Sequence, residues 1–496
     1  MRLVMNLLGR LHLIVAASFV PSALWSFYYH ETAMLTWLLV SAALTASLGA
    51  LLLYTTRRAP TAFYQREALA LVCFSWIATG ILGALPFGLS GALPWIPALF
   101  ESFSGFTTCG ASVLDDIEAL PRGLLFWRSF THWVGGIGIL AIMLIVLPHL
   151  GTGGKMLLRF ESSQGIPKGL RERMRKSVYA ILIAYLALTV AQVLALLLTR
   201  KMDLFDALCH TFGTLATGGY STRQASIAAY DSVAVETIII FFMVCGATSF
   251  SLHSFFLRGD LRAFFRDSEW RFYIMVLMAA VLVCTLNLSG WFGHAPLGAP
   301  STESSGPMGF AHALRVSAFN VTSVFTNTGF ATDDFDRWPF FSRAVLLLLM
   351  TIGGCAGSTA GGIKAVRILI LAKLLWQKIE RSFRPRIVRA ARISGDPVSN
   401  EVLFDVAAFF AAYMAVFVAG ALVMSAWGLP LDSALSSVLA CMSCTGPGLE
   451  LVGPGVTYSC IPNGGLISLI VLMLLGRLEL FTFLVLVVPA FWQTGK

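Results

Sequence analysis

The stretch Phe325-Thr-Asn-Thr-Gly-Phe330 places a threonine beside a glycine directly after a short apolar segment, and similar stretches occur four times in the chain. The turns are Thr108-Cys109-Gly110, Thr217-Gly218-Gly219, Thr328-Gly329-Phe330 and Thr445-Gly446-Pro447. Successive glycines, taken as Gly110, Gly218, Gly329 and Gly446, are 108, 111 and 117 residues apart. Such a regular spacing predicts one structural unit that is used four times.

Long apolar segments surround these turns. Of the 496 residues, 57% are hydrophobic and 12% are charged, whereas soluble domains contain about 25% charged residues. Apolar runs close to the ~20 residues that cross a bilayer as a helix lie near 11–28, 34–55, 69–90, 123–148, 177–199, 232–257, 271–290, 343–375, 402–427 and 464–491. The composition therefore predicts an all-α polytopic membrane protein.

Four shorter apolar segments precede the glycine turns, at 95–106, 204–215, 311–325 and 432–443. They are too short to cross the bilayer and are predicted to enter it and turn back. Each unit is then a long helix, a short pore helix, a glycine turn and a second long helix. We expect an N-terminal hairpin at 1–60 and pore repeats at 61–152, 153–262, 263–395 and 396–496, in pseudo-fourfold arrangement around one ion path.

The first apolar run could also be a secretory signal, because it follows Arg2 and Arg10 and ends near small residues. A second run follows at once, which favours a helical hairpin.

The distribution of charged residues predicts the orientation of the chain in the membrane. Basic residues crowd the connections 57–66, 155–176, 258–271 and 364–392, whereas the connections with the glycine turns carry acidic residues such as Asp115, Asp334 and Glu450. The positive-inside rule then places the basic loops and both termini in the cytoplasm and the glycine turns outside, in a cell membrane. This topology accounts for the net charge of +9, which therefore does not indicate binding of nucleic acid.

A short helix that turns back inside the membrane leaves unpaired carbonyl groups, which must face water or an ion. The carboxyl ends of four such helices carry partial negative charge and favour a cation. Glycine accepts positive φ, so that neighbouring carbonyl groups can point to one axis. A ring of carbonyl oxygens can replace the hydration shell of K⁺, and nearby threonines could add hydroxyls or brace the turn.

The chain resembles the Trk/Ktr/HKT superfamily of potassium transporters, and its N-terminal hairpin is similar to the Trk branch. The matching segments are Ser104-Gly-Phe-Thr-Thr-Cys-Gly-Ala111, Ala216-Thr-Gly-Gly-Tyr-Ser221, Phe325-Thr-Asn-Thr-Gly-Phe330, Cys444-Thr-Gly-Pro-Gly-Leu449, Gly353-Gly-Cys-Ala-Gly-Ser-Thr-Ala-Gly-Gly-Ile-Lys364 and Leu475-Gly-Arg-Leu-Glu479. The resemblance implies uptake of K⁺ through a selectivity filter, with K⁺ as the transported ion and no organic cofactor.

The same resemblance implies which residues form the filter. They are Thr107, Thr108, Cys109, Gly110, Ala216, Thr217, Gly218, Asn327, Thr328, Gly329, Cys444, Thr445 and Gly446, and the first glycine of each turn would be the filter glycine. A glycine in the first turn is typical of K⁺-selective members. Cys109 departs from the threonine that is common there. Glu450 could concentrate cations at the mouth or be a solvated loop residue.

The glycine-rich stretch at 353–364 interrupts an apolar run. It does not fit a phosphate-binding loop, because Ile363 and not lysine follows Gly362. The resemblance implies an intramembrane gate that consists of Gly353, Gly354, Gly357, Gly361, Gly362 and Lys364. It also implies that Arg477 lies in the cavity below the filter, where its charge impedes cations until the loop moves. An ion pair between Arg477 and Glu479 is the alternative.

Members of this superfamily are usually homodimers that dock cytoplasmic nucleotide-binding regulatory subunits. The basic stretches 155–176 and 364–392 are candidates for that docking face, or for contact with lipid headgroups. No catalytic triad, carboxylate pair or metal-site spacing indicates an enzyme. The lone Cys441-x-x-Cys444 is interpreted as packed small residues. His132, His210, Trp127, Trp133 and Trp338 are expected to pack at the membrane interface.

Two alternatives stay open from sequence. The chain could pass Na⁺ or couple K⁺ to H⁺ or Na⁺ as a symporter, or it could be a membrane sensor that kept the pore architecture without transport.

Overall fold

The structure is a computed structural model that describes residues 2–58, 65–146, 170–257, 259–260, 262–291, 308–384 and 392–492. The described chain is almost entirely helical. One antiparallel pair of two-residue strands, β1 (Arg392–Ile393) and β2 (Asp396–Pro397), is the departure from the predicted all-α fold. The fold class is otherwise confirmed.

The N-terminal segment folds as the predicted hairpin. Its helices are α1 (Arg2–Ser18), α2 (Val20–Tyr28) and α3 (Thr32–Thr55). Helices α1 and α3 pack closely, since a Cβ on Gly9 would lie 3.0 Å from the carbonyl oxygen of Gly49. The Glu31 carboxylate then accepts hydrogen bonds of 2.6 Å from Arg122 N and 3.0 Å from Gly123 N. This acidic cap at a helix N-terminus ties the hairpin to the rest of the protein.

The first two units follow the predicted order. The first contains α4 (Gln65–Gly83), α5 (Leu85–Leu89), α6 (Trp95–Phe106) and α7 (Arg122–Val146). The second contains α8 (Leu170–Leu198), α9 (Leu204–Leu215), α10 (Val233–Ala247) and α11 (Phe250–Leu257). The short helices α6 and α9 have the predicted bounds.

The last two units repeat this pattern. The third contains α12 (Arg262–Arg266), α13 (Ser268–Leu288), α14 (Phe310–Phe325), α15 (Phe340–Ile352) and α16 (Ala365–Phe383). The fourth contains α17 (Asn400–Ala426), α18 (Leu431–Ser443), α19 (Asn463–Arg477), α20 (Phe481–Leu484) and α21 (Pro489–Trp492). Helices α14 and α18 each begin one residue before the predicted start.

Two of the predicted straight spans are bent. The chain turns by 106° between α10 and α11 and by 113° between α19 and the helical segment that begins at Phe481. Hydropathy could not reveal these bends, because the apolar composition continues through them. Among the described residues, six helices are long and apolar enough to cross a membrane, or up to eight if each bent pair counts as one span.

The polarity of the protein is that of a membrane protein. Large apolar side chains on the long helices are exposed, such as Leu198 at 82% and Phe404 at 80%. By contrast, polar side chains such as Ser104, Thr214 and Ser323 on the short helices are fully buried. The short helices therefore form the centre, and the long helices face lipid.

The three tryptophans predicted for the interface are hydrogen-bonded within the protein. Trp127 is fully buried and donates from Nε1 to Gly83 O at 3.0 Å. Trp133 donates to Thr189 Oγ1 at 3.2 Å, and Trp338 donates to Asp333 Oδ2 at 2.8 Å. Tertiary partners therefore satisfy their indole groups, and the full burial of Trp127 excludes contact of that side chain with lipid headgroups.

Candidate functional site: four glycine turns and the loop that touches them

Each short helix ends in a turn of the same conformation. A residue in the left-handed region follows the helix: Thr108, Thr217, Asn327 and Cys444 have φ of 53°, 53°, 56° and 55°. Two residues later a glycine also has positive φ: Gly110, Gly219, Gly329 and Gly446 have φ of 85°, 78°, 86° and 94°. We call residues 108–110, 217–219, 327–329 and 444–446 glycine turns 1 to 4.

Backbone hydrogen bonds confirm that the turns correspond. The N–H of the middle residue donates to a carbonyl five residues earlier in every turn. These bonds run from Cys109 to Ser104 at 2.8 Å, Gly218 to Gly213 at 2.8 Å, Thr328 to Ser323 at 2.8 Å and Thr445 to Ala440 at 2.9 Å. The N–H groups are thus satisfied by the short helices.

The positive-φ glycine of each turn lies against a carbonyl group of the next turn, and the four contacts form a closed cycle. A Cβ on Gly110 would lie 2.0 Å from Gly218 O, one on Gly219 would lie 2.0 Å from Thr328 O, and one on Gly329 would lie 2.0 Å from Thr445 O. A Cβ on Gly446 would lie 2.8 Å from Cys109 O, which closes the cycle. Any side chain at these positions would collide with backbone, so glycine is required.

This geometry corrects the sequence alignment of the second turn. We predicted Gly218 as the equivalent of Gly110, Gly329 and Gly446, but Gly219 occupies that position by its φ and by its contact with Thr328 O. Gly218 instead corresponds to Cys109, Thr328 and Thr445, and it contributes a carbonyl to the cycle. Two adjacent glycines made the choice ambiguous in the sequence.

The hydroxyl groups of turns 3 and 4 form hydrogen bonds with neighbouring side chains. Thr328 Oγ1 lies 2.7 Å from Thr326 Oγ1, and Thr445 Oγ1 lies 2.8 Å from Ser443 Oγ. Asn327 Nδ2 donates to Thr445 Oγ1 at 2.7 Å, which links the two turns.

Turns 1 and 2 use their side chains in other ways. The thiol of Cys109 is buried and donates to Ala440 O at 3.8 Å, and Thr107 Oγ1 donates to Phe103 O at 2.6 Å. Thr217 Oγ1 donates to the adjacent Ala216 O at 2.6 Å. Thr108 Oγ1 forms no hydrogen bond with the part of the chain that the structure describes.

A buried ion pair, which the sequence analysis missed, supports turns 1 and 2. Arg128 Nε donates to Glu101 Oε1 at 2.6 Å, and the two side chains are 2% and 0% exposed. Arg128 also donates to Ser221 O at 3.0 Å, and the Glu101 carboxylate accepts from Val113 N at 3.0 Å. The available signal was a charged residue within each of two apolar helices, α6 and α7.

The two histidines are also buried within this region, and the expectation of interfacial packing was wrong for both. His132 contacts Gly105 O through Nδ1 at 2.7 Å, and His210 contacts Asp206 O at 2.7 Å and Ser221 Oγ at 3.0 Å.

Residues 353–364 form a loop between α15 and α16, which we call the central loop. Gly353, Gly357 and Gly362 have φ of 71°, 74° and 73°, so the backbone cannot continue the helix there. The sequence predicted this interruption. Lys364 also has positive φ, at 81°, and its Nζ donates to Ala360 O.

The central loop touches three of the four repeats at the ends of their short helices. Thr359 Oγ1 donates to Leu215 O at 2.8 Å, at the end of α9. A Cβ on Gly361 would lie 1.8 Å from Ser443 O at the end of α18, and one on Gly353 would lie 2.7 Å from Asn327 Oδ1 in turn 3. A Cβ on Gly354 would lie 2.8 Å from Ala247 O. The small residues therefore permit close packing directly against the turns.

Arg477, the last residue of α19, reaches the central loop. Its Nη1 donates to Thr359 O at 2.6 Å, and the residue is 3% exposed. Its Nε and Nη2 form no hydrogen bond with any residue that the structure describes. The alternative ion pair with Glu479 is absent from the described contacts, since Glu479 Oε2 binds Arg367 Nη2 at 2.7 Å.

A cavity lies beside the turns, and no residue of the central loop is among its described lining residues. Its lining includes all four turn glycines that have positive φ, with Tyr220 and Tyr458 beside them. Nearby, Glu450 binds Arg343 Nη2 at 2.8 Å, and Asp336 binds the same nitrogen at 3.0 Å. Within the described ranges, no group of three or more His, Cys, Asp or Glu side chains is placed to hold a metal ion.

A family model described as cation transport protein, TrkH, matches residues 38–494. The chain belongs to the TrkH family. The Trk system potassium uptake protein TrkH of Escherichia coli K12 is 38% identical over 451 residues, which cover 90% of each chain. The protein of the same name from Vibrio parahaemolyticus is 34% identical over 503 residues and 99% of each chain. TrkG of Escherichia coli K12 is 29% identical over 497 residues.

The fold is also that of a solved TrkH. The crystal structure of the potassium transporter TrkH from Vibrio parahaemolyticus superimposes with a TM-score of 0.88 at 32% identity, over 99% of each chain. Membership of the TrkH family and the apolar helices make this chain a multi-pass membrane protein of a transporter family, and not an enzyme.

Proposed function

We propose that this chain takes up K⁺ across a cell membrane through the four glycine turns. The observation that carries the proposal is the closed cycle in which Gly110, Gly219, Gly329 and Gly446 each lie against the carbonyl of the next turn. Four carbonyl groups arranged this way can replace the hydration shell of K⁺. The names of the TrkH and TrkG relatives support the same ion.

The driving force is the membrane potential, which supplies ~2.3 kcal/mol per elementary charge for every 100 mV. In this proposal both termini lie in the cytoplasm, which the basic connections support, and K⁺ enters from the cavity beside the turn glycines. The partial negative ends of α6, α9, α14 and α18 then favour a cation over an anion at the turns.

The central loop and Arg477 form the gate in this proposal. The loop packs against the ends of α9 and α18, and the Arg477 guanidinium binds its Thr359 carbonyl. A buried positive charge at this position repels a cation. Opening therefore requires the loop to release the Arg477 hydrogen bond.

We further propose that the protein is a homodimer that binds cytoplasmic nucleotide-binding regulatory subunits. The predicted docking stretch 155–176 lies outside the described residues, except for the backbone of α8 from Leu170. Of the second stretch, 364–392, the structure describes α16 and the residue after it, and the exposed basic residues there include Lys378, Arg381 and Arg384. This distribution supports a cytoplasmic basic surface.

The test is uptake of radioactive Rb⁺ into proteoliposomes that hold the purified chain, at an imposed inside-negative potential. Uptake that excess K⁺ blocks and equal Na⁺ does not would support the proposal. Equal block by both ions would show a Na⁺-permeable pathway. A dependence on a proton or Na⁺ gradient at fixed potential would show symport.

The non-transporting sensor predicts no flux in any condition. An Arg477→Ala variant is therefore assayed in parallel, so that a closed gate is not mistaken for an inactive pore. Absence of flux in both proteins would contradict the uptake proposal.

A further inference from the structure

The imidazole of His132 occupies the place of a side chain in glycine turn 2. A Cβ on Gly218 would lie 2.6 Å from both Cγ and Cδ2 of His132. The equivalent positions in the other turns carry the side chains of Cys109, Thr328 and Thr445. Turn 2 thus has no side chain of its own at this position, and a histidine from α7 of the first repeat fills the space that a Gly218 side chain would take.

Two hydrogen bonds define the protonation state of the His132 imidazole. Tyr220 N–H donates to His132 Nε2 at 3.3 Å, so Nε2 carries no proton. The contact of 2.7 Å between Nδ1 and Gly105 O then requires a proton on Nδ1. His132 is therefore a neutral imidazole that joins Gly105, in α6 of the first repeat, to Tyr220, directly after turn 2.

The Tyr220 ring packs against the His132 imidazole. The two rings stack with centroids 4.0 Å apart at 26°. The Tyr220 hydroxyl lies 2.9 Å from Glu101 O and 3.3 Å from Ala111 O. Arg128 lies 3.5 Å from the Tyr220 ring centroid and is paired with Glu101. The His132 position is thus determined by buried groups of both repeats.

We propose that His132 is a positioning residue for ion discrimination, which holds the Gly218 carbonyl at the radius that suits K⁺. This inference rests on the proposed function. Glycine has the largest backbone freedom of any residue, so turn 2 needs support that turns 1, 3 and 4 obtain from their own side chains. Discrimination between K⁺ and Na⁺ depends on the number and arrangement of the carbonyl groups.

The experiment compares full-length wild type with H132L, H132A and H132Q in proteoliposomes. The readout is the ratio of the Na⁺ and K⁺ concentrations that halve Rb⁺ uptake. We expect this ratio to fall at least about tenfold in H132L and H132A, while Rb⁺ uptake persists. H132Q should rescue the ratio, because its amide offers one donor for Gly105 O and one acceptor for Tyr220 N–H.

A second readout is the shift of the melting temperature of detergent-solubilised protein when K⁺ replaces Na⁺, because an ion that binds the folded state stabilises it. If H132L and H132A keep the wild-type ratio and the wild-type shift, the inference is overturned. A purely structural role would lower the melting temperature in both salts equally and leave the ratio unchanged, which also overturns it.

The two proposals fail in different ways. If wild type shows a K⁺-specific thermal shift but neither wild type nor Arg477→Ala takes up Rb⁺, the uptake proposal fails and the thermal shifts of the variants decide the role of His132. If both proteins lack uptake and wild type also lacks a K⁺-specific shift, both proposals fall. Should one of H132L and H132A not yield monodisperse protein, the other decides the outcome.

Discussion

Arg477 and Thr359 are joined by a hydrogen bond of 2.6 Å between the arginine Nη1 and the threonine carbonyl oxygen. The hydroxyl oxygen of the same threonine lies 2.8 Å from Leu215 O and 3.0 Å from Gly246 O and donates its one proton to this pair of carbonyl groups. Thr359 therefore fastens the central loop to the fourth repeat through its carbonyl and to the second repeat through its hydroxyl. Motion of the loop must break contacts with both.

Replacing Arg477 by alanine should raise basal uptake of Rb⁺. A hydrogen bond from a charged group contributes ~1.5–3 kcal/mol, and each ~1.4 kcal/mol is tenfold in an equilibrium. We expect roughly a tenfold rise in uptake by proteoliposomes without a regulatory partner. Arg477→Lys keeps the charge and should fall between the two proteins. Equal uptake by wild type and Arg477→Ala would contradict a gating role.

Gly219→Ala should abolish K⁺-sensitive uptake. The new Cβ would lie 2.0 Å from Thr328 O, and the position has φ of 78°. Gly428→Ala is the matched control, because Gly428 has φ of 90° but no atom within 4 Å of a Cβ. Both variants bear backbone strain of about 1–2 kcal/mol, and only Gly219→Ala disturbs the carbonyl cycle. Similar uptake by the two variants would contradict the corrected alignment of turn 2.

Cys109→Thr should leave the preference for K⁺ over Na⁺ unchanged. The thiol is buried against Ala440 O, and Thr328 and Thr445 already serve the equivalent positions. The new hydroxyl lies two residues after Thr107, as Thr328 does after Thr326. Cys109→Val, which has the same shape without a hydroxyl, is the control. A preference that changes in the threonine variant but not in the valine variant would show that the side chain reaches the ion.

Arg367 and Glu479 should contribute to the free energy of unfolding as a coupled pair. Their nitrogen–oxygen distance is 2.7 Å at 14% and 29% side-chain exposure. A double-mutant cycle with Arg367→Gln and Glu479→Gln should show an interaction of about 0.5–3 kcal/mol in thermal unfolding. The pair Arg337 and Asp334, at 85% and 36% exposure, is the control and should contribute ~0–1 kcal/mol. Additive effects at Arg367 and Glu479 would contradict the prediction.

The short helices could be predicted from sequence because each is an apolar run too short to cross the bilayer that ends at a glycine turn. The structure adds that Pro94 precedes α6 and that Asp203 caps α9 through a 2.7 Å bond from Asp206 N. The turn after each helix contains a glycine that positive φ requires. Local chemistry decides such boundaries, so the order of helices, short helices and turns could be derived without a structure.

The partners of the charged residues could not be predicted. Arg477 and Glu479 are two residues apart, a spacing that does not place side chains on one helix face. Arg477 ends α19 and binds Thr359, whereas Glu479 lies in the bend after α19 and binds Arg367. Likewise, the buried pair of Glu101 and Arg128 forms only because α6 packs on α7.

The sequence alone determined that the chain lies in a membrane, that it contains four repeats and that residues 353–364 interrupt an apolar run. It also determined which family the chain resembles. These properties depend on composition and spacing, which are local. Only the tertiary structure decided that Gly219 and not Gly218 is the equivalent glycine, that His132 stands behind Gly218, and that Thr359 receives Arg477. Each of these depends on which atoms of distant segments come within contact distance, and a one-residue choice between adjacent glycines is settled by packing against another repeat.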